Sequence, residues 1–408
     1  MPTKLNFYQR AEKLGHSAER LKAGEVVRST ITISDIDAFK SFLDEGLTQN
    51  EAEELAQTLF GDVPVTDPGK DSSAGGILRR VEAFLYGSAP LDDRDRERTK
   101  SLFPVTVDAT SALNGTVNTP QPLGTGGTMA YVNYGTLTLE NGGYFIIYNK
   151  PLTFVVDTLI RNGGGANQFF DINVFGATGA TGPTGGAGGV GGSGTNGAKG
   201  TCSSPGVAGN SGQTGNTGSA GPTGGNGFTG SDGAPSMLAN ITITTAITGT
   251  SPTLSIATRS GTGGAGGVGG AGGVGGQGGR GGDGETCGCE GTNGGNGGPG
   301  GPGGTGGVGG AGGNGVDFAA NISVVVPIGQ IPNVMGFTST APFGTGGTGG
   351  TGGTGGTGGN GGGSGGASGC PNHGGGSDGG SGGTGARGAN GNNGTIKGNP
   401  AQIIVKQA

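Results

Sequence analysis

Residues 261–315 read GTGGAGGVGGAGGVGGQGGRGGDGETCGCEGTNGGNGGPGGPGGTGGVGGAGGNG. Glycine occupies every third position almost without a break, and two of every three in most triplets. A period of three excludes an α-helix, in which each glycine costs about 1 kcal/mol relative to alanine. It fits an extended threefold helix of polyproline-II type, rising about 3.1 Å per residue. In such a helix every third residue lies on one face, so Gly-Gly-X leaves two faces bare. Bare faces let neighbouring rods approach until backbone N–H groups reach each other's carbonyls. That satisfies groups a lone helix of this kind leaves to water.

Two further tracts share the layout, at 176–234 and 344–394. In all three, 26 residues precede a cysteine: Cys202, Cys287 and Cys370. A similar length follows before ordinary sequence resumes. Equal arms around a shared landmark predict three long hairpins with adjacent tips, where a flexible linker would show no such symmetry. Tract one is mostly Gly-X-Y, tract two Gly-Gly-X on both arms, and tract three Gly-Gly-X outward but more decorated on return. More bare faces mean more rod neighbours. Tract two is therefore expected in the middle, with tract one and the return arm of tract three on the flanks.

The tracts interrupt β sequence. Val105 and Val107, Val132 and Tyr134, and Leu137 and Leu139 alternate, and YFIIY (144–148), LTFVV (152–156) and FFDINVF (169–175) are richer strands. Gly142-Gly143 and Asn149-Lys150-Pro151 read as the turns between strands. Strand pairs follow tracts one (241–243, 254–256) and two (322–326, 334–337), and one strand, 403–405, follows tract three. About ten short strands predict a β-sandwich over 104–175, 235–260, 316–343 and 395–408, with the glycine hairpins inserted at one end.

Residues 1–103 differ. They hold 32 of the chain's 50 charged residues and read as a separate helical domain of five short helices. Phe7, Ala11, Leu14, Ala18 and Leu21 share one helical stripe. Ser34 is placed to cap a second helix, and Thr48 with Glu51 forms a capping-box pattern ahead of a third, which Gly61 would stop. Ile77, Val81, Phe84 and Leu85 mark a fourth, and 92–100 a charged fifth.

All four cysteines, Cys202, Cys287, Cys289 and Cys370, fall at the expected tips. Pairing Cys287 with Cys289 is sterically awkward, which favours cross-tract disulfides in which Cys202 and Cys370 each take one of the central pair. Such bridges belong to an oxidising exterior. The competing reading is a zinc site from the four thiolates, or three with His373, although Cys-x-Cys is tighter than the usual structural spacing. Free thiols are the third reading. The other histidine, His16, is expected at the solvated surface of the helical part. Thr345, Thr348, Thr351, Thr354 and Thr357 would form a flat polar row, either ordinary decoration of a rod or a surface for a repeating ligand such as ice.

No constellation suited to catalysis stands out, and no cofactor is implied. GAGGVGG matches phosphate-loop patterns by composition, but without the strand-to-helix context. The net charge of −6 disfavours nucleic acid or an anionic membrane as partner. No apolar run is long enough to span a bilayer, and the first residues lack a secretory apolar core.

The glycine arms with tip cysteines, over about 176–395, resemble polyglycine-II bundle proteins. These include the receptor-binding adhesins of phage tail-fibre tips and the glycine-rich antifreeze protein of snow fleas. The resemblance implies a surface-exposed, non-enzymatic role and carries over no binding residues. The GGAGGVGG run also looks like mycobacterial glycine-rich repeat proteins, without their N-terminal domain. The expected function is structural: self-association into an extracellular filament or surface assembly, with itself as partner. The alternatives are an adhesin binding a cell-surface receptor and, third, ice binding. The expected location is extracellular or on a particle or cell surface, reached without a classical signal peptide.

Overall fold

The computed structural model describes residues 4–60, 74–86, 90–163, 170–371 and 373–408. Six α-helices lie among them: α1 Phe7–Lys13, α2 Ala18–Lys22, α3 Ile36–Leu43, α4 Gln49–Phe60, α5 Ala74–Tyr86 and α6 Asp93–Thr99. Short polar side chains start four of them, α1, α2, α3 and α6. Asn6 forms a capping box with Gln9, and Ser17, Asp35 and Asp92 accept from first-turn N–H groups of α2, α3 and α6. The expected cap Ser34 sits one residue early and donates instead to Asp35. The single stripe through Leu21 is broken at Leu14–Gly15, where Gly15 takes φ +72°, and Ser17 restarts the helix. The expected stop at Gly61 lies outside the described residues, as does the side chain of Ile77.

The strands are β1 Val27–Ile33, β2 Val105–Val117, β3 Pro120–Pro122, β4 Met129–Leu139, β5 Tyr144–Tyr148, β6 Leu152–Arg161, β7 Ile172–Phe175, β8 Cys202–Ser204, β9 Val207–Ala208, β10 Ala239–Thr248, β11 Leu254–Arg259, β12 Thr286–Cys287, β13 Glu290–Gly291, β14 Ile322–Val326, β15 Val334–Thr338 and β16 Ile403–Gln407. Two sheets carry the body. A seven-stranded sheet runs β1-β2-β4-β6-β10-β14-β16 and a five-stranded sheet runs β15-β11-β7-β5-β3. Every pairing within them is parallel except β1 with β2. From β2 onward, successive strands of the two sheets alternate between them, so the chain winds as a coil of stacked rungs.

This corrects the β-sandwich expectation. The molecule is mixed α/β, built on a large, mostly parallel sheet and a smaller parallel one. Most strands from Val105 onward lie where the sequence places them, but the turns between them differ. Gly142 (φ +85°) and Asn149 (φ +49°) do sit at tight turns. These are corners that pass the chain to the other sheet, whereas a hairpin would have returned it beside the strand just left. Each strand's neighbour is then the equivalent strand one rung away, which local sequence does not encode. The all-helical reading of 1–103 is also corrected, because β1 lies within it and pairs antiparallel with β2.

Between the sheets lies the main apolar core, with Val132, Leu137, Phe145, Phe154, Ile241, Ile256, Ile322 and Val324 among its members. On the other face of the larger sheet, Leu14, Ile33 and Phe42 meet Val107, Met129, Tyr131 and Val155. Buried Arg10 of α1 locks this layer: its guanidinium donates to Asn133 Oδ1 (2.9 Å) and Asp157 Oδ1 (2.7 Å) on β4 and β6. Asn321, just before β14, takes the end of α4, donating its backbone N–H to Leu59 O at 2.7 Å and its side-chain amide N–H to Thr58 O at 3.2 Å. His16, expected at the surface, is buried, with Nε2 2.8 Å from Ser29 Oγ of β1.

The coil dictates where the glycine tracts begin. Tracts one, two and three leave from β7, β11 and β15, neighbours in the smaller sheet. They return to β10, β14 and β16, neighbours in the larger one. Six arms therefore start side by side, at the spacing of adjacent strands, about 4.8 Å.

Candidate functional site

The parallel ladder of β7 and β11 runs directly into the arms. Gly176 N donates to Arg259 O at 2.8 Å, and Gly179, Gly182, Gly185 and Gly188 continue at three-residue steps onto Thr262, Ala265, Val268 and Ala271. The same step joins the outward arms of tracts two and three: Gly266, Gly269, Gly272, Gly275 and Gly278 donate to the carbonyls of Thr345, Thr348, Thr351, Thr354 and Thr357 at 2.8–2.9 Å. Return arms are joined likewise, from Gly212 onto Asn293 and from Gly297 onto Ser377. Bonds between outward and return arms, such as Gly304 N to Gly273 O and Gly350 N to Gly307 O, both 2.8 Å, tie the two layers into one slab.

Position in the slab follows the bare faces. The outward arm of tract two bonds to both arms of tract one, to its own return arm and to the outward arm of tract three. The outward arm of tract one bonds only to its own return arm and to tract two. The approach is close enough to exclude any side chain. A Cβ on Gly304 would lie 2.0 Å from Pro222 O, and one on Gly270 1.9 Å from Gly186 O.

Where the lattice offers no carbonyl, side chains stand in. Asn390 Oδ1 and Asn393 Oδ1 accept from Gly349 N (3.0 Å) and Gly346 N (2.8 Å), Asp378 Oδ1 from Gly361 N (2.8 Å), and Asn226 Oδ1 from Val308 N (3.0 Å). In the sequence, Asp378, Asn390 and Asn393 read only as decoration of the third return arm. The available signal was the placement of Asn and Asp on the arms with fewer bare faces, where an amide or carboxylate oxygen can replace a missing backbone acceptor.

The tips are laced together. Disulfides join Cys202 to Cys287 and Cys289 to Cys370, closing sequence separations of 85 and 81 residues. All four cysteines are thus oxidised, which removes the thiolates that the zinc and free-thiol readings required. His373 is half-buried at the start of the third return arm, and among the described residues it joins no metal-holding group. Between tips, Ala208 N donates to Glu290 Oε2 at 2.8 Å, and Lys199 Nζ pairs with Glu285 at 2.5 Å. Hydrogen bonding from that ammonium holds the Glu285 carboxyl below its usual range. A hydrogen bond from Gly363 N does the same for Asp283.

The five threonines of the row are all exposed. Beside them, at the same ladder step, runs the row of tract two, in which Val268 and Val274 are nearly half exposed. A threonine row thus runs beside a row of alanine and valine over 265–274, which turns polar at Gln277, Arg280 and Asp283. The slab's geometry supplies reach and rigidity, and its cross-tract ion pair, Lys199 with Glu285, lies near the tips. No helix among the described residues is long and apolar enough to cross a membrane. No family model, curated protein or solved structure matches the chain.

Proposed function

We propose that this chain is a non-enzymatic structural protein that self-associates into an extracellular filament or surface assembly, with the glycine slab as its rigid projecting part. One observation carries the reading. Among the described residues the seven-stranded sheet ends in β1 on one side and β16 on the other, and neither has a second strand partner. An unpaired strand edge is a template for another chain. Two different edges on opposite ends of one subunit make a heterologous contact, which propagates when its rotation does not close. The disulfides at the tips suit an oxidising exterior.

Electron microscopy of the purified protein across concentration and pH tests the reading. Extended filaments or ordered sheets are expected. Uniform monomers under every condition would sink it.

A further inference from the structure

Resting on the assembly reading, we infer that the contact is an antiparallel strand pair in which β16 of one copy receives β1 of a second copy, Val405 opposite Thr30. The backbone of each edge can be followed residue by residue. Ile322 N donates to Gln402 O, and Ala408 N to Val326 O, both at 2.9 Å. The even-numbered residues of β16 therefore turn their backbone groups toward β14. Alternation then points those of Ile403, Val405 and Gln407 outward, with no strand partner among the described residues.

On β1 the orientation follows from that of β2. Thr128 N donates to Thr106 O at 2.8 Å, so the backbone of Thr106 faces the β4 side and away from Thr32, its partner on β1. Thr32, and with it Thr30 and Arg28, presents at the outer edge N–H and C=O groups with no strand partner among the described residues.

Side-chain faces agree with this pairing independently. Ile403 and Val405 pack on the core between the two sheets. On β1, Val27, Ile31 and Ile33 pack toward the helices, so Arg28, Thr30 and Thr32 take the opposite face, that of the smaller sheet. Residues directly opposite in an antiparallel pair must share a face, and a one-residue slip would reverse every one of them. Ile403 opposite Thr32, Val405 opposite Thr30 and Gln407 opposite Arg28 meet both requirements together.

Orientation agrees as well. β1 is the one strand of its sheet that runs against its neighbour, so it arrives antiparallel to β16, the slightly more stable mode per residue. The seven residues of β1 pair with β2 in unbroken register, and the five of β16 do so with β14. Neither strand carries a proline or bulge that would blunt its edge. The smaller sheet is different: its edge strand β3 carries Pro120 and Pro122, which lack N–H donors. Exposed apolar side chains border both edges: Ile328 is 80% exposed and Met335 49% at the β16 end, and Val26, 48% exposed, adjoins β1. A second copy of this chain supplies both the reversed strand and the matching face.

The test is the double variant Thr30→Cys/Val405→Cys. Opposed residues of such a pair have Cα atoms about 5.5 Å apart, within disulfide range. Mild oxidation of assembled protein is expected to give a ladder of covalent oligomers on non-reducing gels, and neither single variant should give one. Dimers from Val405→Cys alone would mean that like ends meet, and would overturn the pairing. Thr30→Pro, which removes only an outward N–H, should abolish assembly with an unchanged melting transition. Wild-type filaments should repeat axially at about 34 Å, seven strands at about 4.8 Å each. Filaments without the cysteine ladder, or undiminished in Thr30→Pro, would overturn the pairing and leave the assembly reading standing. No wild-type assembly at all would overturn both.

Discussion

A single hydrogen atom in place of a methyl group decides whether two rods of the slab can touch. Gly304 sits where a Cβ would lie 2.0 Å from Pro222 O, whereas a Cβ on Gly383, one arm further out, meets nothing within 4 Å. The two residues are alike in sequence and opposite in consequence. Gly304→Ala must push a rod aside and break part of a hydrogen-bond ladder, at a cost on the order of 3 kcal/mol. Gly383→Ala should fall within about 0.5 kcal/mol of the parent, with a small gain from the restricted unfolded chain. Denaturant unfolding of the two variants checks this, and equal losses would contradict the packing argument. The glycine period is plain in the sequence, and the need for bare faces follows from it. Which glycines face a neighbour is not, because Gly383 and Gly304 occupy the same kind of triplet. Pro222 shows the same limit. It supplies no N–H to the ladder of its arm, yet its carbonyl accepts from Gly273 N at 2.7 Å.

At the scale of one element, α4 shows how a local signal survives into the fold. Thr48 and Glu51 form the reciprocal cap: Glu51 N donates to Thr48 Oγ1 (3.3 Å), and Thr48 N and Oγ1 donate to Glu51 Oε2 (2.8 Å each). Those hydrogen bonds, from the backbone of Thr48 first, with Lys4 nearby, lower the Glu51 pKa from 4.5 to about 2. A depressed carboxylate pKa contributes stability that is complete above the unfolded value and lost as pH falls through the folded one. The cap should therefore weaken between about pH 4.5 and about pH 2. Glu51→Gln should flatten that part of the acid limb of the stability curve, measured by denaturant titration at each pH. An unchanged limb would remove Glu51 from the account. The strands were less legible than this cap. Val27, Ile31 and Ile33 carry strand-like alternation, but neighbouring helical stripes and dense charge masked β1. YFIIY and LTFVV announced strands without announcing that consecutive ones belong to different sheets.

At the scale of the whole molecule, the coil and the slab are one continuous object, and the disulfides close its far end. In the chain-entropy picture, loops of 85 and 81 residues make each bridge worth on the order of 4 kcal/mol. Cys289→Ser/Cys370→Ser should lower unfolding stability by roughly that amount, and full reduction of the parent by more. Thermal melts with and without reductant measure it, and a parent indifferent to reductant would refute it. The sequence by itself determined most strand segments from Val105 onward, the three-residue glycine period, the equal arms and the tip cysteines. All are short-range patterns, set by backbone geometry within a few residues or by symmetry about a landmark. Only the tertiary structure decided that the strands stack in parallel rungs, that β1 reverses at the sheet edge, and that Cys202 meets Cys287 while Cys289 meets Cys370. Those outcomes depend on which distant segments lie side by side. A turn of a given residue type costs the same whether the chain returns beside the strand just left or crosses to another sheet, so the choice falls to burial of the shared core.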